Sequence, residues 1–216
     1  MRLKHIKGAE DAVYNSVHCI NLESVEKKAL RSIFPDADKP LHLEIGTGKG
    51  QFIMELATRN PDINYLGIER YSSVLLRACQ KMDEMETPLP NLKFICCDAE
   101  VLPDYLNEGD VERIYLNFSD PWPKDRHAKR RLTSSRFLAR YDKFLKQGGE
   151  VRFKTDNKDL FDFSVEEFKN NDWNLTAVTY DLHNDATLSA GNIMTEYEER
   201  FSREGVKINM LIAVRK

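Results

Sequence analysis

LHLEIGTGKG, residues 41–50, is a short apolar run that breaks into three alternating glycines, Gly46, Gly48 and Gly50. Directly after it, Phe52, Ile53, Leu56 and Ala57 recur at helical spacing over residues 50–59, which predicts a helix with one apolar face. A buried strand passing through a glycine-rich turn into a helix opens a β-α-β unit. The glycines let the backbone turn tightly, so that a ligand can approach amide N–H groups without Cβ interference.

Outward from that stretch the alternation continues. INYLGIE (63–69), LKFICCD (92–98), VERIYLNF (111–118) and GGEVRFKT (148–155) read as strands. Helical patterns occupy 72–85, 133–145 and 157–170. WNLTAVTYDL (173–182) and KINMLIAVRK (207–216) close the chain as two further strand-like runs with little helix between them. Strands alternating with helices of this length predict an α/β fold: a mostly parallel, twisted sheet with helices on both faces and a C-terminal antiparallel strand. With no repeat and no glycine/serine linker, one domain over 1–216 is expected. Residues 1–20 carry no motif and are expected to form a flexible arm.

In open sheets of this kind ligands collect beyond the carboxyl ends of the strands. One crevice should therefore be lined by residues 44–50, Glu69 and Arg70, Asp98 and Ala99, residues 117–120, and Thr155 and Asp156. Carboxylates recur at these ends, which sets the chemistry of the ligand.

The totals narrow the field. The 216 residues carry 32 Lys and Arg against 35 Asp and Glu, a net charge of −3, so any affinity for a polyanion must come from local clustering. The opening MRLKHIKGAE lacks the apolar core of a signal peptide and no later run has membrane-spanning length. A cytoplasmic protein without a membrane partner is expected. Adjacent Cys96 and Cys97 lack metal or redox spacing, and with Cys19 and Cys79 they read as small hydrophobes in a reducing compartment.

A dinucleotide fingerprint would continue G-x-G-x-x-G, but its third glycine position is Gln51. The pattern E-x-G-x-G-x-G resembles instead the cofactor loop of Rossmann-like, S-adenosyl-L-methionine-dependent methyltransferases. The acid suits that cofactor. Glu44 beside a pyrophosphate would be repulsive, whereas beside a methionine ammonium it attracts. Glu69, next to Arg70, is placed to accept ribose hydroxyls, and Asp98 with Ala99 to meet the adenine edge. Singly, Glu69 and Asp98 read equally well as helix caps.

The fourth strand ends at Asn117, and SDPWPKDRHAKRR (119–131) follows. Pro121 and Pro123 stiffen the loop around Trp122, whose flat face suits stacking against a base, while Asp120 offers an anionic oxygen. Lys124, Arg126, Lys129, Arg130 and Arg131, with His127, then face a single acid. Alone such a run is a solvated face; beside a crevice it reads as a phosphate track.

Together with EIGTGKG, TDN (155–157) and TEYEERF (195–201), this segment resembles the bacterial tRNA (guanine-N7-)-methyltransferases over nearly the whole chain. The resemblance implies methyl transfer from S-adenosyl-L-methionine to N7 of a guanine in the variable loop of tRNA, at its position 46, without a metal. It places Glu44, Gly46, Gly48, Gly50, Glu69, Arg70, Asp98, Ala99, Asn117 and Asp120 at the cofactor. Lys124, Asp156, Thr195, Glu196, Tyr197 and Glu198 would face the substrate, and Arg126, His127, Lys129, Arg130 and Arg131 the RNA. Asp120 is the expected catalytic carboxylate, stabilising the positive charge that arrives on the purine. Asp156, Glu196 and Glu198 are candidates to accept guanine's N1–H and amine, although EYEER also reads as an acidic helix start. An amino-directed adenine RNA methyltransferase and a non-catalytic RNA-binding module remain as alternatives, an NAD enzyme more distantly. Monomer and homodimer are both open. The polar run 183–194 reads as a mobile lid.

Overall fold

The computed structural model describes residues 5–216. In chain order its elements are α1 (Ala9–Tyr14), β1 (Cys19–Ile20), β2 (Leu41–Ile45), α2 (Gln51–Arg59), β3 (Asn64–Glu69), α3 (Ser72–Asp83), β4 (Leu92–Cys96) and β5 (Val111–Asn117). They continue with α4 (Ser135–Tyr141), β6 (Leu145–Thr155), α5 (Lys158–Asn170), β7 (Asn174–Thr179), α6 (Glu196–Arg203) and β8 (Asn209–Val214). Short 3-10 turns fill several connections, including 99–104 and 125–130.

The eight strands form one sheet in the order β1-β4-β3-β2-β5-β6-β8-β7. Strands β1 to β6 pair in parallel, while β8 lies antiparallel between β6 and β7. The predicted α/β architecture is the one found, including its antiparallel end. The chain proceeds from β2 to β3 in one direction and reaches β5 on the other side, so the order reverses at the β2–β5 pair. Ligand crevices open at that reversal.

Alternation within the strands divides the core. Leu41, Leu43 and Ile45 of β2 face a cluster built with Phe137, Leu138 and Tyr141 of α4 and Leu160, Phe161, Val165 and Phe168 of α5. The other face is covered by Val13 of α1, Phe52, Ile53 and Leu56 of α2 and Leu75, Ala78 and Met82 of α3. Burying a large aliphatic or aromatic side chain contributes roughly 1.5–3 kcal/mol. Each helix is therefore held by its apolar stripe more than by its propensity.

Two expectations change. Residues 9–20 are not a loose arm: α1 packs on α3, with Ala9 and Val13 buried, and Cys19 and Ile20 pair with Phe94 and Ile95 as an edge strand. Residues 1–4 lie outside the described part. The expected helix over 133–145 is shorter, because the chain from Leu145 already pairs with Val111. Cys19 and Cys79 are buried and Cys96 and Cys97 half-buried, all as free thiols, and burial pushes Cys19 and Cys97 up to about 12. Among the described residues no helix is long and apolar enough to cross a membrane.

Candidate active site

A cavity of about 800 Å³ opens beyond the carboxyl ends of β2, β3, β4 and β5. It unites most of the residues the sequence singled out: Gly46, Gly48, Glu69, Arg70, Asp98, Ala99, Asn117, Asp120, Lys129, Arg130 and Tyr197 all line it. A smaller cavity of about 220 Å³ shares Gly46, Gly48, Asn117, Phe118 and Tyr197 with it, and adds Glu44, Gly50, Thr195 and Glu196.

The β2–α2 turn supplies the floor. Gly48 has φ +60°, and the space where a Cβ would project is open. Its N–H donates to Glu69 Oε2 at 3.0 Å. Gly50 is different. At φ +77° its Cβ would fall 3.0 Å from Ala78 Cβ, so this glycine chiefly allows α2 to pack against α3.

Glu69, 8% exposed, accepts three backbone N–H groups, from Gly48, Arg70 (2.8 Å) and Tyr71 (3.0 Å). A carboxylate has about four acceptor positions, so this arrangement fixes the side chain and leaves room for little more than one further donor. Burial nevertheless holds its carboxyl above the ordinary range, against the pull of those donors. Glu44 lies deeper, 2% exposed. Oε2 accepts from Thr47 Oγ1 at 2.6 Å and Oε1 from Asn117 Nδ2 at 2.8 Å, the latter bond tying β2 to β5 at the order reversal. Burial pushes its carboxyl up to about 7. Asp98 is exposed and caps the 99–104 turn by accepting from Glu100 N–H at 3.0 Å, with Arg70 3.7 Å away.

The loop after β5 is strained and clamped. Phe118 and Trp122, on either side of Asp120, have φ +52° and +43°, conformations that cost on the order of 1–3 kcal/mol for side chains of this size. Arg131 is the clamp: its guanidinium donates to the carbonyls of Pro121 (3.0 Å) and Trp122 (3.1 Å) and lies 4.3 Å from the Phe163 ring centre. Arg131, half-buried at the end of the basic run, thus braces the loop. Arg130 stacks 4.9 Å from the Trp122 ring centre and His127 meets that ring edge-on, so one flank of the tryptophan is already occupied. Lys124, Arg126, Lys129 and Arg130 are exposed.

Across the crevice, α6 starts at Thr195, whose hydroxyl accepts from the Glu198 N–H at 3.0 Å. The acidic start is thus a true helix start, and its acids do different things. Glu196 bridges Lys49 (3.0 Å) and Lys81 (2.5 Å), fastening α6 over the glycine turn. Tyr197 donates its hydroxyl to Asp156 at 3.0 Å and packs on Phe118 and Phe201. Glu198 is fully buried and paired with Lys154 at 2.6 Å. Its carboxylate is turned away from solvent, which corrects its candidacy as a guanine reader. Lys154 escaped the sequence reading, although a lysine inside the apolar strand run VRFKT is the signal that could have found it.

Solved structures with this architecture include an antibiotic-related methyltransferase, with a TM-score of 0.64 at 20% identity over 86% of this chain and 92% of that one. The 16S rRNA methyltransferase KamB has a TM-score of 0.62 at 16% identity over 87% of this chain and 91% of its own. At these identities the likeness is one of fold, a mostly parallel Rossmann-like sheet with helices on both faces. A family model described as "Putative methyltransferase" matches residues 38–211. The tRNA (guanine-N(7)-)-methyltransferase of Lachnoclostridium phytofermentans is 54% identical over 215 residues, covering 100% of this chain and 99% of that protein. The Bacillus subtilis enzyme of the same name is 46% identical over 208 residues, 96% of each. The chain belongs to the bacterial tRNA (guanine-N7-)-methyltransferase family.

Proposed function

We propose that this chain transfers a methyl group from S-adenosylmethionine to N7 of a guanine in the variable loop of tRNA, at position 46. One observation carries the reading. A single cavity holds the carboxylates of Glu69, Asp98 and Asp120 within, and Lys129 and Arg130 on its lining beside the DPWP loop. Anions in the pocket suit cationic and donor-rich ligands, while the exposed cations suit phosphates. The residues fit the cofactor. The open side of Gly48 admits its backbone-facing portion, Glu69 has an acceptor position left for a ribose hydroxyl, and Asp98 remains exposed for the adenine edge. When bound, the cofactor supplies a methyl group on a cationic sulfur.

The chain's own residues then hold charge and position. Glu44 and Glu69 are acids whose ionised forms burial disfavours, and a cation beside them reverses that preference. Tyr197 and Asp156, joined by their hydrogen bond, present an aromatic face and an acceptor on the substrate side. Arg126, Lys129 and Arg130 meet phosphates. The test is incubation of the purified chain with unmodified tRNA and labelled cofactor, followed by nucleoside analysis. Label is expected in 7-methylguanosine alone. Label in an N6-methylated adenosine overturns the reading, and so does tRNA retention without S-adenosylhomocysteine release.

Glu44 gives this reading a pH signature. In the free chain its proton is held to about pH 7. In the unfolded chain it leaves near 4.5, as from an ordinary glutamate. The folded pKa is raised, so this burial costs stability progressively as pH rises from 4.5 to 7 and adds no further cost above. An ammonium bound beside Glu44 draws its pKa down, so cofactor binding releases a proton below pH 7. Cofactor Kd should rise by up to about fivefold on going from pH 7 to pH 6. Glu44→Gln should bind weakly at pH 8 and lose that slope in isothermal titration.

A further inference from the structure

Lys154 sits on β6 inside the sheet and is only 3% exposed; burial pulls its pKa down and the Glu198 carboxylate opposes that pull. The three acceptors of its ammonium all lie on α6 and the segment leading into it. It donates to the Glu198 carboxylate at 2.6 Å, to the Ile193 carbonyl at 2.9 Å and to Asn192 Oδ1 at 3.2 Å, and lies 5.1 Å from the Phe52 ring centre. Glu198 is equally enclosed. Its second oxygen accepts from Asn192 Nδ2 at 2.8 Å, with His183 Nε2 3.4 Å away. The result is a buried cluster joining β6 to the polar run 183–194, in which Lys154, Asn192 and Glu198 satisfy one another while His183 Nε2 lies buried beside them without a hydrogen-bond partner. Its neighbour Tyr197 lines the cavity and touches Asp156.

Resting on the proposed function, we infer that Lys154 and Glu198 form a positioning latch. Their ion pair fixes the run 183–194 and the first turn of α6 on the sheet, and so presets Tyr197 and Asp156 for the guanine before any RNA arrives. Glu198 acts through its helix and does not touch the base. The run 183–194 is then a strap that is already closed in the free enzyme, not a lid that shuts on substrate.

The chemistry of buried pairs makes the idea sharply testable. Removing one member strands the other charge in a low-dielectric interior, whereas removing both is far milder. Glu198→Gln is expected to raise KM for tRNA about tenfold or more, with cofactor Kd changed less than about threefold. A fall in kcat alone with KM unchanged, the mark of a smaller folded fraction, overturns the latch. Combining Glu198→Gln with Lys154→Met should recover most of the loss, and losses that simply multiply also overturn it. Discrimination between guanosine and inosine at the target position should be the same in Glu198→Gln as in wild type; loss of that discrimination restores Glu198 as the base reader. Should the variants not fold, amide hydrogen exchange on the unaltered chain decides. Protection of residues 192–198 without tRNA is expected, and free exchange there until tRNA binds refutes the latch. If wild type methylates no tRNA the functional reading fails, and the exchange result still stands on its own.

Discussion

Asp120→Asn should lower kcat for methyl transfer by roughly 10²- to 10³-fold, the range seen when a single electrostatic group aimed at developing charge is removed, with cofactor affinity changed only a few-fold. Asparagine keeps the shape and loses the charge. Methyl transfer moves a positive charge from sulfur onto the purine, so a fixed anion on the acceptor side gains more in the transition state than in the ground state. Asp120 is suited to that place because it cannot drift. It stands between Phe118 and Trp122, both held at positive φ, and Arg131 clamps the carbonyls of Pro121 and Trp122. In the free chain it is exposed, which weakens any charge interaction through water. Base and backbone of a bound tRNA would exclude that water and strengthen the effect. Single-turnover methyl incorporation at saturating tRNA and cofactor measures it directly; turnover equal to wild type removes Asp120 from the chemistry.

The sheet was readable because parallel strands are buried on both faces and so appear as unbroken apolar runs. LHLEI and NYLGIE are buried at every position, and each ends in a glycine or an acid that marks the ligand side. What escaped depended on partners distant in sequence. Cys19–Ile20 is too short to signal a strand and exists because β4 offers an edge. The short, polar α6 is held by Lys49, Lys81 and Lys154, none of which lies near it in sequence. Within the basic run, composition cannot separate Arg130 from Arg131. One stacks on Trp122 at the surface and the other turns inward to brace the loop. Likewise Glu196 and Glu198 look alike in EYEER, yet the two-residue step between them along the helix puts the first on the surface and the second in the interior. Side-chain direction, set by packing, distinguished the members of each pair.

A transcript carrying 7-deazaguanosine at the target position should accept no label above background, while competing for binding within a few-fold of the ordinary transcript. Guanine N7 bears an in-plane lone pair and no proton, so it attacks the methyl carbon without a general base. Replacing that nitrogen with C–H deletes the attacking pair and leaves the Watson–Crick edge intact. The donors that Asp156 is placed to accept are therefore unchanged, as are the phosphates that Lys129 and Arg130 meet, and binding should survive. An enzyme directed at an exocyclic amine would be indifferent to this substitution, since its nucleophile lies on the other edge of the ring. A passive RNA-binding module would label neither transcript. Filter binding in parallel with scintillation counting thus separates three chemistries in one experiment, and equal labelling of the two transcripts would show that the methyl group goes to some other atom.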